Sequence, residues 1–192
     1  MIILGIDPGT LIAGYGVIER VGGELLLLDV GIIKNSSTIS MPLRLKKIYS
    51  TLTKVIERFH PDEFAIETAF YSKNVQSALK IGQARGVSIL AGINYDIPVT
   101  EYSPREIKKA VTGKGAASKE QVQYMIMSLL KLKAKPKYFD STDALAVAVC
   151  HAFKISTRHI STNRRSNNSA KHSLQWKSYI ETHPEKVIRF RR

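Results

Sequence analysis

The chain has 192 residues, 44% of them hydrophobic, enough for one well-buried core with an appendage. No apolar run approaches the roughly 18 residues that span a bilayer, no basic segment leads into a cleavable apolar one at the N-terminus, and a single cysteine, Cys150, excludes an internal disulfide. A soluble cytoplasmic protein with no membrane span is expected, and its net charge of +13 favours a polyanionic partner, nucleic acid or a membrane surface.

The chain opens on MIILGIDPGTLIAGYG. Ile2, Ile3, Leu4 and Ile6 suit a buried central strand, which ends in Asp7 and is stopped by Pro8-Gly9-Thr10. A carboxylate at the tip of a buried strand is costly unless cations or donors satisfy it. Asp7 is therefore either a metal ligand or a structurally satisfied acid. Residues 15–19 and 25–33 read as further strands joined by a tight turn at 21–24, which predicts an antiparallel meander. Leu45, Ile48, Leu52, Val55, Ile56 and Phe59 recur at helical spacing after Pro42. His60-Pro61-Asp62 ends that helix, and residues 64–67 form a strand that again finishes in an acid, Glu67.

A long helix is predicted over about 72–92, rich in small residues that permit close contact within the fold or across a dimer. Residues 97–102 follow as a strand. Ser103-Pro104-Arg105-Glu106 carries an N-cap, a proline at the first helical position and a capping-box acid. Ser118 with Gln121 starts another helix. Residues 140–153 form a last, nearly all-apolar helix that must be buried, where Cys150 reads as a packing thiol. From 154 to 192 the pattern dissolves into a basic tail, with 10 Lys and Arg against 2 acids, compared with 19 against 14 in residues 1–153. The expected domains are therefore 1–153 and a flexible tail, 154–192. The expected fold is α/β, a five-stranded mixed sheet flanked by helices.

Four acids share one kind of position. Asp7 and Glu67 end strands, while Asp140 and Asp143 open the last helix, three residues apart and so on one face. If strands one and four are neighbours, all four meet at one sheet edge. Clustered carboxylates repel one another and two divalent cations would balance them. Oxygen donors without a His or Cys cluster point to Mg²⁺, with Mn²⁺ as a substitute. Asp140-Ser141-Thr142-Asp143 also reads as a plain N-cap and capping box, and Glu67 as an exposed strand-end acid. His151 reads as a packing or surface residue rather than a general base. Phe70 and Tyr71, with Lys73 and Asn74 behind them, suit stacking on a distorted base. Lys108, Lys114 and Lys119, on or beside the 112–118 loop, suit phosphate contact.

GIDPGT at 5–10, GYGVI at 14–18, FAIETAFYSKN at 64–74, ALKIGQARG at 78–86 and DSTDALAVAVCHA at 140–152 resemble the RuvC family of bacterial Holliday-junction resolvases. The resemblance runs in register from residue 1 to about 153 and does not extend to the tail. It implies an RNase H-like fold, a homodimer, Mg²⁺-dependent symmetric nicking of four-way DNA junctions, and work with the RuvA–RuvB branch-migration complex. By position it carries the catalytic and metal-ligating roles to Asp7, Glu67, Asp140 and Asp143. It places the junction-contacting aromatic on Phe70 and functional lysines on Lys108 and Lys119. Two cations about 3.5–4 Å apart can activate a water and steady the leaving oxygen, so no covalent nucleophile is needed. The turn Pro8-Gly9-Thr10 then reads as clearance for a DNA strand.

Three other readings compete. An actin-like kinase or ATPase shares the opening motif but needs a second phosphate loop and a longer chain. A noncatalytic DNA-binding module would leave the four acids to cap and space. A different RNase H-like nuclease would keep the acids and change the substrate.

Overall fold

The computed structural model describes residues 1–68 and 75–156. Phe70, Tyr71, Lys73 and Asn74 lie outside the described residues, as does the tail beyond 156. In chain order the elements are β1 (Ile2–Asp7), β2 (Ile12–Val21), β3 (Glu24–Lys34), α1 (Met41–Phe59), β4 (Glu63–Glu67), α2 (Val75–Ile93), β5 (Val99–Tyr102), α3 (Pro104–Thr112) and α4 (Lys119–Leu129). The last helix among the described residues, α5, occupies residues 139–156. The strands form one sheet in the order β3-β2-β1-β4-β5. The first three are antiparallel, whereas β4 and β5 run parallel to β1. This is the expected mixed sheet.

Local chemistry sets most of the boundaries. Gly22 and Gly23 take φ of 55° and 95° between Val21 and Glu24, the double left-handed conformation that a two-residue hairpin requires. Both β2 and β3 run longer than their apolar cores, because ladder pairing continues from Ile12↔Lys34 to Val21↔Glu24. α1 starts at Met41, before its first periodic apolar residue, since Pro42 fits a first helical turn at no hydrogen-bond cost. His60, left-handed at φ 46°, closes it by donating its amide to the Ile56 carbonyl. The capping boxes Ser103–Glu106 and Ser118–Gln121 both form, each worth on the order of 1 kcal/mol.

The sheet has a core on each face. On one side Leu4, Ile6, Phe64 and Ile66 pack under α1 (Ile48, Leu52, Val55, Ile56) and α2 (Ala84, Ala91). On the other, Ile3, Ile18 and Ala65 pack under α3, α4 and α5. α5 is buried throughout 144–150, as an apolar helix must be. Cys150 is a packing thiol there and donates to the Glu106 carbonyl at 3.9 Å. His151 is 1% exposed. Its Nδ1 pairs with the Tyr102 hydroxyl at 2.8 Å and its Nε2 lies 3.3 Å from Glu63.

Candidate active site

The site begins with strand pairing. β1 and β4 run parallel with Ile6 opposite Ile66, so the next residues, Asp7 and Glu67, end adjacent strands at the same sheet edge. Aligned strands deliver two carboxylates to one point without any loop to order.

The third acid arrives on α5, and glycine decides how close that helix comes. Gly5 and Gly16 are paired across β1 and β2, and Gly14 pairs with Asp7. A Cβ on Gly5 would overlap the Ala144 carbonyl, and one on Gly14 the Asp140 carbonyl. On Gly16 it would fall 2.6 Å from Cδ2 of Leu145. The three glycines form a flat seat for the first turns of α5, as glycine in a strand does where another backbone approaches. Seated there, α5 brings Asp143 to Asp7 and Glu67. Sequence reasoning missed this seat, although the spacing of glycines in two adjacent strands was its visible signal.

Asp7, Glu67, Asp143, Lys108 and Lys119 line one cavity of about 200 Å³, walled by Pro104, Ile107, Val122 and Ala146. The Lys119 ammonium, first residue of α4, donates to Asp143 Oδ2 at 3.0 Å. Burial, then repulsion from Glu67, Asp143 and Asp140, pushes the Asp7 carboxyl up from 3.8 to about 8. Burial and Asp143 push Glu67 from 4.5 to about 7, against the pull of Lys119 and Lys108. Asp143 is also raised, chiefly by burial, and Lys119 restrains the shift. Burial would lower the Lys119 ammonium, but its hydrogen bond to Asp143 and the nearby acids raise it on balance.

Asp140, the turn after β1 and Lys114 are placed differently from Asp7, Glu67 and Asp143. Asp140 is not among the residues that line this cavity. It lines an adjacent one with Gly9, Thr10, Arg44 and Lys80, although its charge reaches Asp7. Three residues along a helix rise by about 4.5 Å, and the Asp140 backbone rests over Gly14, the residue paired with Asp7 across the two strands. Nor is Asp140 an N-cap, because α5 begins at 139 and Asp140 lies inside its first turn. In the turn after β1, Pro8 and Thr10 are buried while Gly9 is part-exposed. Gly9 is required by its own turn, where a Cβ would overlap the Ile12 carbonyl. Of the lysines, Lys108 and Lys119 reach the acids, whereas Lys114 lines a separate cavity with Thr112 and Tyr124.

The donor set fits hard divalent cations. It offers carboxylate oxygens only, in an open cavity where burial and mutual repulsion raise the carboxyls of Asp7 and Glu67. Among the described residues no three acid, His or Cys side chains close on a single ion-sized point, and a lysine ammonium rests on Asp143.

These shifts carry a stability consequence. With folded values near 8 and 7 against ordinary values of 3.8 and 4.5, the folded state binds more protons than the unfolded one. Metal-free protein should therefore lose stability as pH rises from about 4 to about 8. Thermal unfolding in chelator, about pH 5 against about pH 8, checks this. Added Mg²⁺ should restore the midpoint at the higher pH, and a flat profile would refute the electrostatic account.

Comparison with known proteins identifies the lineage. Residues 3–151 match the family model for crossover junction endodeoxyribonuclease RuvC. The chain belongs to the RuvC family. It is 57% identical over 151 residues to RuvC of Photobacterium profundum, covering 79% of this chain and 86% of that protein. It is 50% identical over 157 residues to RuvC of Desulforamulus reducens, covering 82% and 96%. Among solved structures, T. thermophilus RuvC in complex with Holliday junction substrate superposes with a TM-score of 0.77 at 35% identity, covering 81% of this chain and 94% of that one. The fold is thus the RNase H-like fold of RuvC, and RuvC-family nucleases are metal-dependent. Among the described residues no helix is long and apolar enough to cross a membrane.

Proposed function

We propose that this chain is a Holliday-junction resolvase, a crossover junction endodeoxyribonuclease that nicks two opposed strands of a four-way DNA junction in recombination and repair. The observation that carries this is the cavity where β1, β4 and α5 deliver Asp7, Glu67 and Asp143 beside Lys108 and Lys119, in a chain of the RuvC family. The T. thermophilus relative is held on a Holliday junction, and a net charge of +13 suits a DNA partner.

Asp7, Glu67 and Asp143, with Asp140 alongside, would hold two Mg²⁺ ions, or Mn²⁺ in their place. When bound, these supply Lewis acidity at the phosphate and a water of lowered pKa. The chain's own residues do the positioning. Lys108 and Lys119 set positive charge at the cavity wall, where phosphodiester oxygens enter. Ile107, Val122 and Ala146 give that wall an apolar backing, which strengthens each charge interaction inside. No side chain need act as a covalent nucleophile. Cys150 and His151 are buried in packing and do not line the cavity.

Symmetric nicking needs two sites, hence two copies. The small and apolar residues of α2 divide in a way that supports this. Ala84, Ala91 and Gly92 face the sheet, while Val75, Leu79, Leu90 and Ile93 are exposed. Gly82 and Gly86 have open space where a side chain would stand. A stripe at helical spacing, apolar on the solvent side, suits the same stripe on a second copy. Residues 1–153 serve as the nuclease domain and 154–192 as a basic tail, in a cytoplasmic protein that works with RuvA–RuvB, as the resemblance implies.

Incubating purified protein with a synthetic four-way junction, a duplex and an RNA–DNA hybrid, with and without Mg²⁺, tests the reading. Mg²⁺-dependent nicks should fall at symmetric positions on two opposed strands of the junction alone. A single nick with no second would remove the dimeric reading, and preferred cleavage of the hybrid would indicate a different RNase H-like nuclease.

A further inference from the structure

The turn after β1 separates two cavities. Asp7 lines the acidic one, while Gly9 and Thr10, just beyond Pro8, line a second of about 470 Å³. Asp140 stands at the border, lining the second cavity while its charge reaches Asp7 in the first. Apart from that acid, the charged residues of the second cavity are cationic: Arg44 from α1 and Lys80 from α2. Leu11, Ile12 and Ile81 supply apolar surface beside them.

Arg44 is held in place there. Its Nε donates to the Ile39 carbonyl at 2.9 Å and its Nη2 to the Ser37 carbonyl at 2.6 Å. A guanidinium has five N–H donors, so these two bonds fix the plane and leave others to face a ligand. The surrounding loop is tied down as well. Buried Asn35 donates its side-chain amide to the Thr10 carbonyl at 3.0 Å and its backbone amide to the Leu11 carbonyl at 2.8 Å. Lys80 is exposed. The result is a pre-set guanidinium and an exposed ammonium across one concavity, a pairing suited to a phosphate oxygen cluster.

We propose that this second cavity is a phosphate subsite, in which Arg44 and Lys80 hold the backbone of the DNA strand whose scissile phosphate lies in the acidic cavity. The inference rests on the resolvase reading and extends it. A strand crossing the acid edge toward Asp140 meets the Arg44–Lys80 pair within the span of one turn. Contact is to the backbone, so it fixes the register of the strand over the acids and carries no base preference.

The test uses the full chain with Asp7→Asn to block cleavage, Lys80→Gln to remove one contact, and Lys46→Gln, on α1 outside both cavities, as control. Junction affinity is measured against salt concentration in Ca²⁺-containing buffer. Lys80→Gln should weaken binding several-fold, equally for junctions of different sequence, and reduce the salt slope by about one. The control should change neither. A neutral methylphosphonate walked along the strand next to the scissile position should cost the parent affinity at one site and cost Lys80→Gln, which keeps Arg44, clearly less there. An unchanged slope for Lys80→Gln, or equal methylphosphonate sensitivity in both proteins, overturns the subsite while leaving the resolvase reading intact. An unsubstituted chain that neither binds a junction nor nicks it in Mg²⁺ would instead overturn the resolvase reading.

Discussion

Asp7→Asn should abolish Mg²⁺-dependent nicking while four-way junction binding survives, and should raise the thermal midpoint of metal-free protein near pH 8. Both effects have one origin. Asp7 ends a buried strand facing three other acids, and its carboxyl is pushed to about 8, so its ionised form is destabilising until cations arrive. Asparagine keeps the shape, removes the charge and ligates poorly. Outer-shell partners of metal ligands already cost about 10–100-fold when removed, so loss of a shared ligand should exceed about 100-fold. Relief of the repulsion should raise the midpoint by about 2–4 °C for each kcal/mol recovered. Quantitative nicking of a labelled junction by the variant would remove Asp7 from the catalytic set. A midpoint that falls would show the carboxylate to be satisfied by protein donors instead.

The second large effect concerns a residue with no side chain. Gly14→Ala should cost on the order of 1–3 kcal/mol as an overpacking change and remove most nicking, because the added methyl meets the Asp140 carbonyl. α5 can relieve that overlap only by lifting off β2, which draws Asp143 away from Asp7. Gly16→Ala offers an internal comparison. Its nearest obstacle is the Leu145 side chain, so Leu145→Ala should partly rescue Gly16→Ala. The same change should leave Gly14→Ala unrescued, since there the obstacle is backbone. Nicking rates and denaturation midpoints of the two double variants decide the matter. Equal rescue in both would mean that α5 shifts freely and that the glycine seat does not set its height.

What could be read in the sequence was what short-range chemistry decides. Strands one and four each ended in an acid, and parallel pairing put Asp7 beside Glu67. Ser103 with Glu106 and Ser118 with Gln121 announced helix starts, and both boxes form. The placement of Asp140 and Asp143 against two different cavities was not readable, because helical spacing gives a shared face but not the height at which α5 rests on the sheet. That height is set by Gly5, Gly14 and Gly16 against residues well over a hundred positions away. A glycine in a strand looks like a weakness until its contact is known. Likewise the burial of Pro8 beside a part-exposed Gly9 was not readable from the turn motif, and Lys114 sat near Lys119 in sequence yet faces another cavity.

The parallel pairing of β1 with β4, with α5 laid over both, also bears on when the protein becomes dangerous to DNA. Its acids come from the first strand, the fourth strand and the last helix, so no stretch of chain smaller than nearly the whole domain contains a working site. Such non-local pairing is closed late and slowly during folding, and a chain still emerging from the ribosome lacks α5 altogether. If these acids are the catalytic set, partly folded or truncated molecules should not nick DNA, a safeguard that arises from topology.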